Sequence, residues 1–136
     1  MKKLFIDTNI VIDLLGKREP FYEEAAKLFS LADRKKIKLI VSSLTFANTN
    51  YLLSKLNNSI VARDILTKFK VLVTVADLND KIIELSLNDK AFSDFEDGLQ
   101  YYSAIENEAD IIITRNLKDF KSSTIPVITA QTYLTE

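Results

Sequence analysis

The stretch Lys3-Leu4-Phe5-Ile6-Asp7-Thr8-Asn9 places three polar residues directly after a short, mainly apolar run. The run has the length and hydrophobicity of a buried β-strand. Beyond it, apolar residues recur at helical spacing until Gly16 ends the pattern, at Ile10, Val11, Leu14 and Leu15. The stretch therefore predicts a strand that leads straight into a helix, with polar side chains at the junction.

The alternation of strand-like and helix-like segments continues along the chain. Further strands are predicted over residues 37–41, 71–75, 111–113 and 125–128. Further helices are predicted to begin at Pro20, at Ser42 or Ser43, after Asn57-Asn58, near Leu78 and at Ser93. Strands that alternate with helices favour a parallel sheet covered on both faces. We predict an α/β fold, a three-layer α/β/α sandwich around a central, mainly parallel sheet of four or five strands.

Length and composition favour one globular unit. The 136 residues are 47% hydrophobic with only two glycines and two prolines, so we expect a single domain over residues 1–136. The apolar runs are far shorter than the roughly 20 residues that a membrane-spanning helix needs. Asp7 also interrupts the N-terminal run before the apolar core of a signal peptide can form. We therefore expect a cytoplasmic protein that does not cross a membrane.

Two missing residue types narrow the chemistry. The chain has no cysteine and no histidine, which excludes disulfides, thiolate catalysis, Ser/His triads and cysteine-based zinc sites. An enzyme of this composition relies on carboxylates, amides, hydroxyls, Lys, Arg or Tyr, and on any metal that the carboxylates bind. Oxygen ligands of this kind favour Mg²⁺ or Mn²⁺.

The formal net charge of −1 argues against nucleic-acid binding by overall electrostatics. Local basic patches occur at Lys17-Arg18, over residues 34–38, and at Arg115, Lys118 and Lys121. Each patch is also typical of an ordinary solvated surface. Arg115 and Lys118 are the candidates for binding nucleic acid.

Three polar clusters follow predicted strands. They are Asp7-Thr8-Asn9, residues 42–48, and Thr114-Arg115-Asn116 with Asp119. Ligands of open parallel sheets bind beyond the carboxyl ends of the strands, near the point where the strand order reverses. We therefore expect these clusters to meet at one edge of the sheet. Asp97 joins them if its helix starts near the same edge.

Each acidic cluster also has a purely structural interpretation as a helix cap or a turn. The residues concerned are Asp7, Ser93 with Glu96, Asp94 with Asp97, and Asn116 with Asp119. Their joint placement favours a functional site, because three clusters that serve only as caps would not be expected to meet at one sheet edge by accident. Converging carboxylates repel one another unless a cation neutralises them. A bound Mg²⁺ or Mn²⁺ would also shield the charge that develops on a phosphodiester, and a second ion about 4 Å away would activate the leaving oxygen.

Four segments, spread over essentially the whole chain, together resemble the PIN-domain family. They are Phe5-Ile6-Asp7-Thr8-Asn9, Val41-Ser42-Ser43-Leu44-Thr45-Phe46-Ala47-Asn48, Asp94-Phe95-Glu96-Asp97-Gly98-Leu99-Gln100 and Ile113-Thr114-Arg115-Asn116-Leu117-Lys118-Asp119-Phe120. Each segment alone is weakly specific, but their order and spacing are specific together. The family contains metal-dependent ribonucleases, including the toxin half of VapBC toxin-antitoxin pairs.

The resemblance implies a role for each matching residue. Asp7, Asp97 and Asp119 would be catalytic. Asp7 and Asp97 would be metal ligands, together with Glu96 and Asn116, and three residues would support the centre, namely Asn9, Asn48 and Thr114. The implied cofactor is Mg²⁺ or Mn²⁺, and the implied partners are an RNA substrate, an antitoxin protein and a second copy of the chain.

Asn48 departs from the toxin pattern, which usually has a glutamate at this point. An amide oxygen ligates metal weakly and carries no charge, so Asn48 predicts weaker Mg²⁺ binding and a one-ion or less active centre. Asn is ordinary here in one PIN subgroup, so the change does not by itself imply an inactive enzyme.

Other functions compete with this one. A haloacid-dehalogenase-like phosphatase would need an aspartate at position 9, where this chain has Asn9. A signalling receiver domain would need an aspartate after one strand and a lysine after another, but this chain has Thr74-Val75 and Thr114-Arg115 there. The stronger rival is a non-catalytic PIN scaffold that binds nucleic acid or a protein partner, and Asn48 is its best support.

Overall fold

The computed structural model describes residues Met1–Glu136 and contains one five-stranded sheet. The strands are β1 (Lys3–Ile6), β2 (Lys38–Ser42), β3 (Thr74–Ala76), β4 (Ile111–Ile113) and β5 (Val127–Ile128). The helices are α1 (Thr8–Leu15), α2 (Tyr22–Asp33), α3 (Ser43–Leu56), α4 (Ser59–Lys70), α5 (Asp80–Asn88), α6 (Phe95–Glu106) and α7 (Ala130–Thr135), with a 3₁₀ helix over Leu117–Phe120.

All neighbouring strands are parallel, in the order β3-β2-β1-β4-β5. β1 is central and pairs with β2 through Phe5 and Ile40 and with β4 through Phe5 and Ile112. The chain moves outward from β1 to β2 and β3, then returns to the other side of β1 for β4 and β5. The strand order therefore reverses between β1 and β4. The prediction of a parallel sheet of four or five strands is confirmed.

Alternate residues of the central strands enter two separate hydrophobic cores. Leu4 and Ile6 belong to a core with α1, α2 and Phe69 of α4. Phe5 faces the opposite way, into a core with Tyr101 and Ala104 of α6. Because side chains alternate across a strand, the two cores lie on opposite faces of the sheet. This is the predicted three-layer α/β/α arrangement.

Polar side chains cap most of the helices. The capping oxygens accept hydrogen bonds from backbone N–H groups in the first turn, as is usual for N-caps. The capping residues are Asp7 for α1, Ser42 for α3, Asn58 for α4, Asn79 for α5, Asp94 for α6 and Thr129 for α7. The predicted cap at Ser42 is confirmed.

Several predicted boundaries were wrong. The third strand is Thr74–Ala76 rather than residues 71–75, because Val71 ends α4 in helical conformation and is 85% exposed. The second helix begins at Tyr22 and not at Pro20. The last strand contains only Val127 and Ile128. No helix has both the length and the apolar character needed to cross a membrane.

Candidate active site

The candidate site lies where the strand order reverses, at the carboxyl ends of β1 and β4. Asp7 directly follows β1, and its backbone N–H donates to the Ile113 carbonyl at the end of β4 (3.0 Å). Thr114 directly follows β4, and its Oγ1 donates to Asp7 Oδ2 (2.8 Å). Parallel pairing of the two strands thus brings together two residues that are 107 positions apart. The predicted meeting of these clusters is confirmed.

The Asp7 carboxylate is held by donors on both of its oxygens. Oδ1 accepts from the backbone N–H of Thr8 (2.8 Å) and from Nε2 of Gln100 (3.2 Å). Oδ2 accepts from Thr114 and, more weakly, from Nδ2 of Asn9 (3.5 Å). The side chain is 8% exposed. Asp7 therefore both caps α1 and presents an immobilised carboxylate at the sheet edge.

Asn9 and Thr114 form the frame around this carboxylate. Asn9 Nδ2 donates to Thr114 Oγ1 (3.2 Å), and its Oδ1 accepts from the Arg115 backbone N–H (3.3 Å). Thr114 Oγ1 also accepts from the Asn116 backbone N–H (3.1 Å). These bonds fix the loop after β4, which carries Asn116 and Asp119, against the start of α1.

An acidic cavity of about 230 Å³ opens beside Asp7. It is lined by Asp7, Thr8, Asn9, Leu44, Asn48, Asp94, Glu96, Asp97, Gln100 and Asn116. Four of these residues carry carboxylates and none is basic. The cavity therefore attracts cations and repels anions. A bound cation would neutralise the negative charge of its carboxylates.

The acidic surroundings change the proton affinity of two carboxyls. Burial, followed by the neighbouring charges of Asp119, Asp94, Asp7 and Glu96, raises the pKa of Asp97 to about 7. Burial also raises the pKa of Asp7, against hydrogen bonds from Thr114, Thr8 and Gln100 that favour its charged form. Asp119 acts on both carboxyls although it does not line the cavity. The three predicted catalytic aspartates thus form one electrostatic cluster.

Asn48 faces the cavity from α3 and contacts the acidic end of α6. Its Nδ2 donates to Glu96 Oε1 (3.3 Å). The Asn48 amide nitrogen therefore lies beside a glutamate carboxylate, and one acidic group is present at this corner even though Asn48 has none.

Arg115 is largely committed to contacts within the protein. Its Nε and Nη2 donate to the two oxygens of Asp13 (2.7 and 3.1 Å), and its guanidinium lies 3.9 Å from the centre of the Phe21 ring. Asp13 is 1% exposed and also pairs with Arg18 (3.2 Å). A second cavity of about 410 Å³ borders this group, but the Asp13 charge there is already neutralised. Lys118, on the 3₁₀ helix, is exposed.

Sequence reasoning missed Gln100 and left the cap of α6 open between Ser93 and Asp94. Gln100 lies four residues after Glu96 and three after Asp97, so helical spacing puts it on the same face of α6, and that spacing was the available signal. The cap of α6 is Asp94, whose Oδ1 accepts from the Glu96 N–H (2.9 Å), and not Ser93 of the predicted capping box.

The chemistry of the donor set fits a hard divalent cation. The cavity offers carboxylate and amide oxygens and no sulfur or nitrogen ligand, as Mg²⁺ and Mn²⁺ prefer. No three carboxylates converge on a single ligating position. Mg²⁺ is commonly held by only one or two carboxylates while it keeps several waters, so the arrangement suits it.

Comparison with known proteins identifies the family. The family model described as "PIN domain" matches residues 3–118. The chain belongs to the PIN-domain family. A relative, "Ribonuclease VapC1" of Aquifex aeolicus, is 29% identical over 136 aligned residues, and the match covers 97% of this chain and 93% of the relative.

Solved structures share the PIN fold of this chain. VapBC2 of Rickettsia felis, bound to a DNA fragment from its promoter, has a TM-score of 0.69 at 22% identity, covering 93% of this chain and 96% of that chain. A toxin-antitoxin complex from Klebsiella pneumoniae has a TM-score of 0.70 at 24% identity, covering 93% and 97%. The sarcin-ricin loop cleaving toxin VapC20 of Mycobacterium tuberculosis has a TM-score of 0.63 at 16% identity, covering 80% and 86%.

Proposed function

We propose that this PIN protein is a divalent-metal-dependent ribonuclease that hydrolyses phosphodiester bonds of RNA. The observation that carries the proposal is the cluster of Asp7, Asp97 and Asp119 at the point where the strand order reverses, beside a cavity without basic residues. The relative named as a ribonuclease supports the choice of RNA.

Each residue of the acidic cluster would have its own role in the proposed metal centre. Asp7 and Asp97 would hold Mg²⁺ or Mn²⁺ together with Glu96 and Asn116, and Asp119 would complete the acidic centre. When bound, the cation would supply charge stabilisation at the phosphodiester and would lower the pKa of a coordinated water. Asn9 and Thr114 would keep the Asp7 carboxylate in one orientation, since both donate to Oδ2.

Glu96 would supply the carboxylate that Asn48 lacks. The Asn48 amide donates to Glu96 Oε1, which restrains that side chain at the mouth of the cavity. The acidic centre would thus keep its charge with the glutamate on α6 instead of α3. This arrangement would allow activity despite Asn48.

RNA would approach along the rim that follows β4. Lys118 is exposed there and would contact backbone phosphates, whereas Arg115 would offer only the guanidinium edge that Asp13 leaves open, because its side chain is 28% exposed.

The relatives suggest that the protein is the toxin of a toxin-antitoxin pair. Two of the solved neighbours are a VapBC complex and a toxin-antitoxin complex, so we propose an antitoxin protein as a partner. We also propose a homodimer, for which exposed apolar side chains such as Leu56 and Ile60 at the α3–α4 connection would provide contact area.

A second candidate is a PIN scaffold that binds RNA or protein without cleaving. The observation that favours it is Asn48, which brings no charge to the centre. Binding of RNA without cleavage under every metal condition would select this alternative.

The test is cleavage of a mixed-sequence single-stranded RNA with Mg²⁺, Mn²⁺ or EDTA. Wild type would be compared with Asp7→Asn and with Asp64→Asn, which makes the same change in an exposed pair on α4. We expect metal-dependent cleavage that Asp7→Asn abolishes and Asp64→Asn retains. Equal cleavage by wild type and Asp7→Asn, or cleavage that persists in EDTA, would overturn the proposal.

A further inference from the structure

Gln100 joins three elements around the Asp7 carboxylate. It lies on α6 and is 3% exposed. Its Nε2 lies 3.0 Å from Thr8 Oγ1 on α1, 3.1 Å from Thr45 Oγ1 on α3 and 3.2 Å from Asp7 Oδ1. The two N–H groups of the amide are therefore shared among three oxygens.

The other end of the amide shows why it is oriented this way. Gln100 Oε1 is buried and has no hydrogen-bond donor. Turning the amide over would let the Thr8 and Thr45 hydroxyls donate to this oxygen, but it would also set the oxygen against Asp7 Oδ1. Because two acceptors repel, Asp7 determines the orientation and leaves Oε1 unsatisfied.

We propose that Gln100 is a positioning residue of the active site, which holds the Asp7 carboxylate in the orientation that binds the divalent cation. The expected effect on RNA cleavage rests on the proposed function, whereas the expected effect on cation binding does not. Gln100 acts through Asp7, and the Thr8 and Thr45 hydroxyls, which lie 2.7 Å from each other, also contact its nitrogen.

A space-filling role makes a different prediction for cation binding. If Gln100 only packs, then Gln100→Met, which is similar in volume and flexible, should be tolerated at the site and affect the fold alone. If Gln100 positions Asp7, the same change also removes the N–H donor to Asp7 Oδ1, so the carboxylate loses part of what orients it. The effect of the change on the metal-free melting temperature then combines the gain from removing an unsatisfied oxygen with the loss of the Nε2 contacts. The affinity for Mn²⁺ is then lowered.

The experiment compares wild type, Gln100→Met and Gln131→Met. Gln131 is the other glutamine of the chain and is exposed on α7, so it controls for the chemical change itself. Mn²⁺ affinity would be measured by calorimetry and by the Mn²⁺-dependent rise in melting temperature. Cleavage would be measured over a range of Mn²⁺ concentrations.

For Gln100→Met we expect Mn²⁺ affinity to fall by about 10- to 100-fold, the range typical of residues that orient a metal ligand. Cleavage at low Mn²⁺ should fall with it and recover at saturating Mn²⁺, with the KM for RNA unchanged. Gln131→Met should match wild type in every measurement.

Three results separate the two proposals. A lower metal-free melting temperature with unchanged Mn²⁺ affinity in Gln100→Met would overturn the positioning role. A wild type that does not bind Mn²⁺ would also overturn it. If wild type binds Mn²⁺ without cleaving RNA, the proposed function fails, and a loss of Mn²⁺ affinity in Gln100→Met still supports the positioning role.

Discussion

Asp97→Asn should stabilise the metal-free protein by more at pH 8 than at pH 5. The pKa of Asp97 rises from 3.8 to about 7 because of burial and of the charges of Asp119, Asp94, Asp7 and Glu96. The unfolded chain therefore releases this proton near pH 4 and the folded protein near pH 7. Since the folded state binds the proton more tightly, stability falls as the pH rises through this window.

The size of the effect follows from the same pKa. A tenfold change in proton affinity corresponds to about 1.4 kcal/mol, so the whole change would amount to roughly 4 kcal/mol in a fully buried site. Asp97 is only half-buried, and solvent screening reduces the figure to about 1–2 kcal/mol. For a chain of this length that corresponds to a rise in Tm of roughly 3–8 °C at pH 8.

The assay is thermal unfolding in EDTA at pH 5 and pH 8. Asp64→Asn serves as the control, because Asp64 forms an exposed pair with Lys68 (3.2 Å) outside the acidic cluster. The control should stay within about 0.5 kcal/mol of wild type at both pH values. If Asp97→Asn shifts Tm by the same amount at pH 5 and pH 8, the repulsion described above does not act on the folded protein.

Three further substitutions test other parts of the structure. Asp13→Ala should cost about 3–5 kcal/mol in urea unfolding, because it leaves Arg115 without its buried partner; a loss below about 1 kcal/mol would contradict this. Gly98→Ala should stabilise the protein by about 0.5–1 kcal/mol, since its methyl group would lie at contact distance, 3.4 Å, from Ser86 Cβ. A lower Tm in thermal unfolding would mean that the methyl group does not fit against α5. Asn48→Glu should lower metal-free stability at pH 8 yet enlarge the Mn²⁺-dependent rise in Tm, and an unchanged rise would place residue 48 outside the metal centre.

The sheet and its active edge were predictable because buried parallel strands have a simple signature. The residues of β1 and β4 are continuous apolar runs followed at once by polar residues, and the alternation with helices permits few topologies. The third strand was less predictable. Val71, Leu72 and Val73 look like its beginning, but they form the turn that ends α4, and the strand starts only at Thr74.

The side-chain geometry of the site was predictable only in part. Charged residues such as Asp7 and Asp97 stand out in a sequence, whereas Gln100 carries no charge and differs from an ordinary helix residue only by its spacing. The Asp13–Arg115 pair joins positions 102 residues apart, and nothing local links them. As a result, Arg115, which was predicted to bind nucleic acid, is held inside the protein by two hydrogen bonds to Asp13 and by its contact with the Phe21 ring.

Helix capping and the proposed catalytic role are not alternatives at this site, because both follow from where the helices begin. α1, α3 and α6 start at Asp7, Ser42 and Asp94, and the first turns of all three border the acidic cavity. Helix N-termini carry partial positive charge and free N–H groups, which stabilise nearby carboxylates. Three such ends reduce the repulsion among the acidic side chains while leaving oxygen lone pairs free for a cation. A cavity without Lys or Arg can therefore stay folded and still keep the oxygen ligands that the proposed metal centre needs.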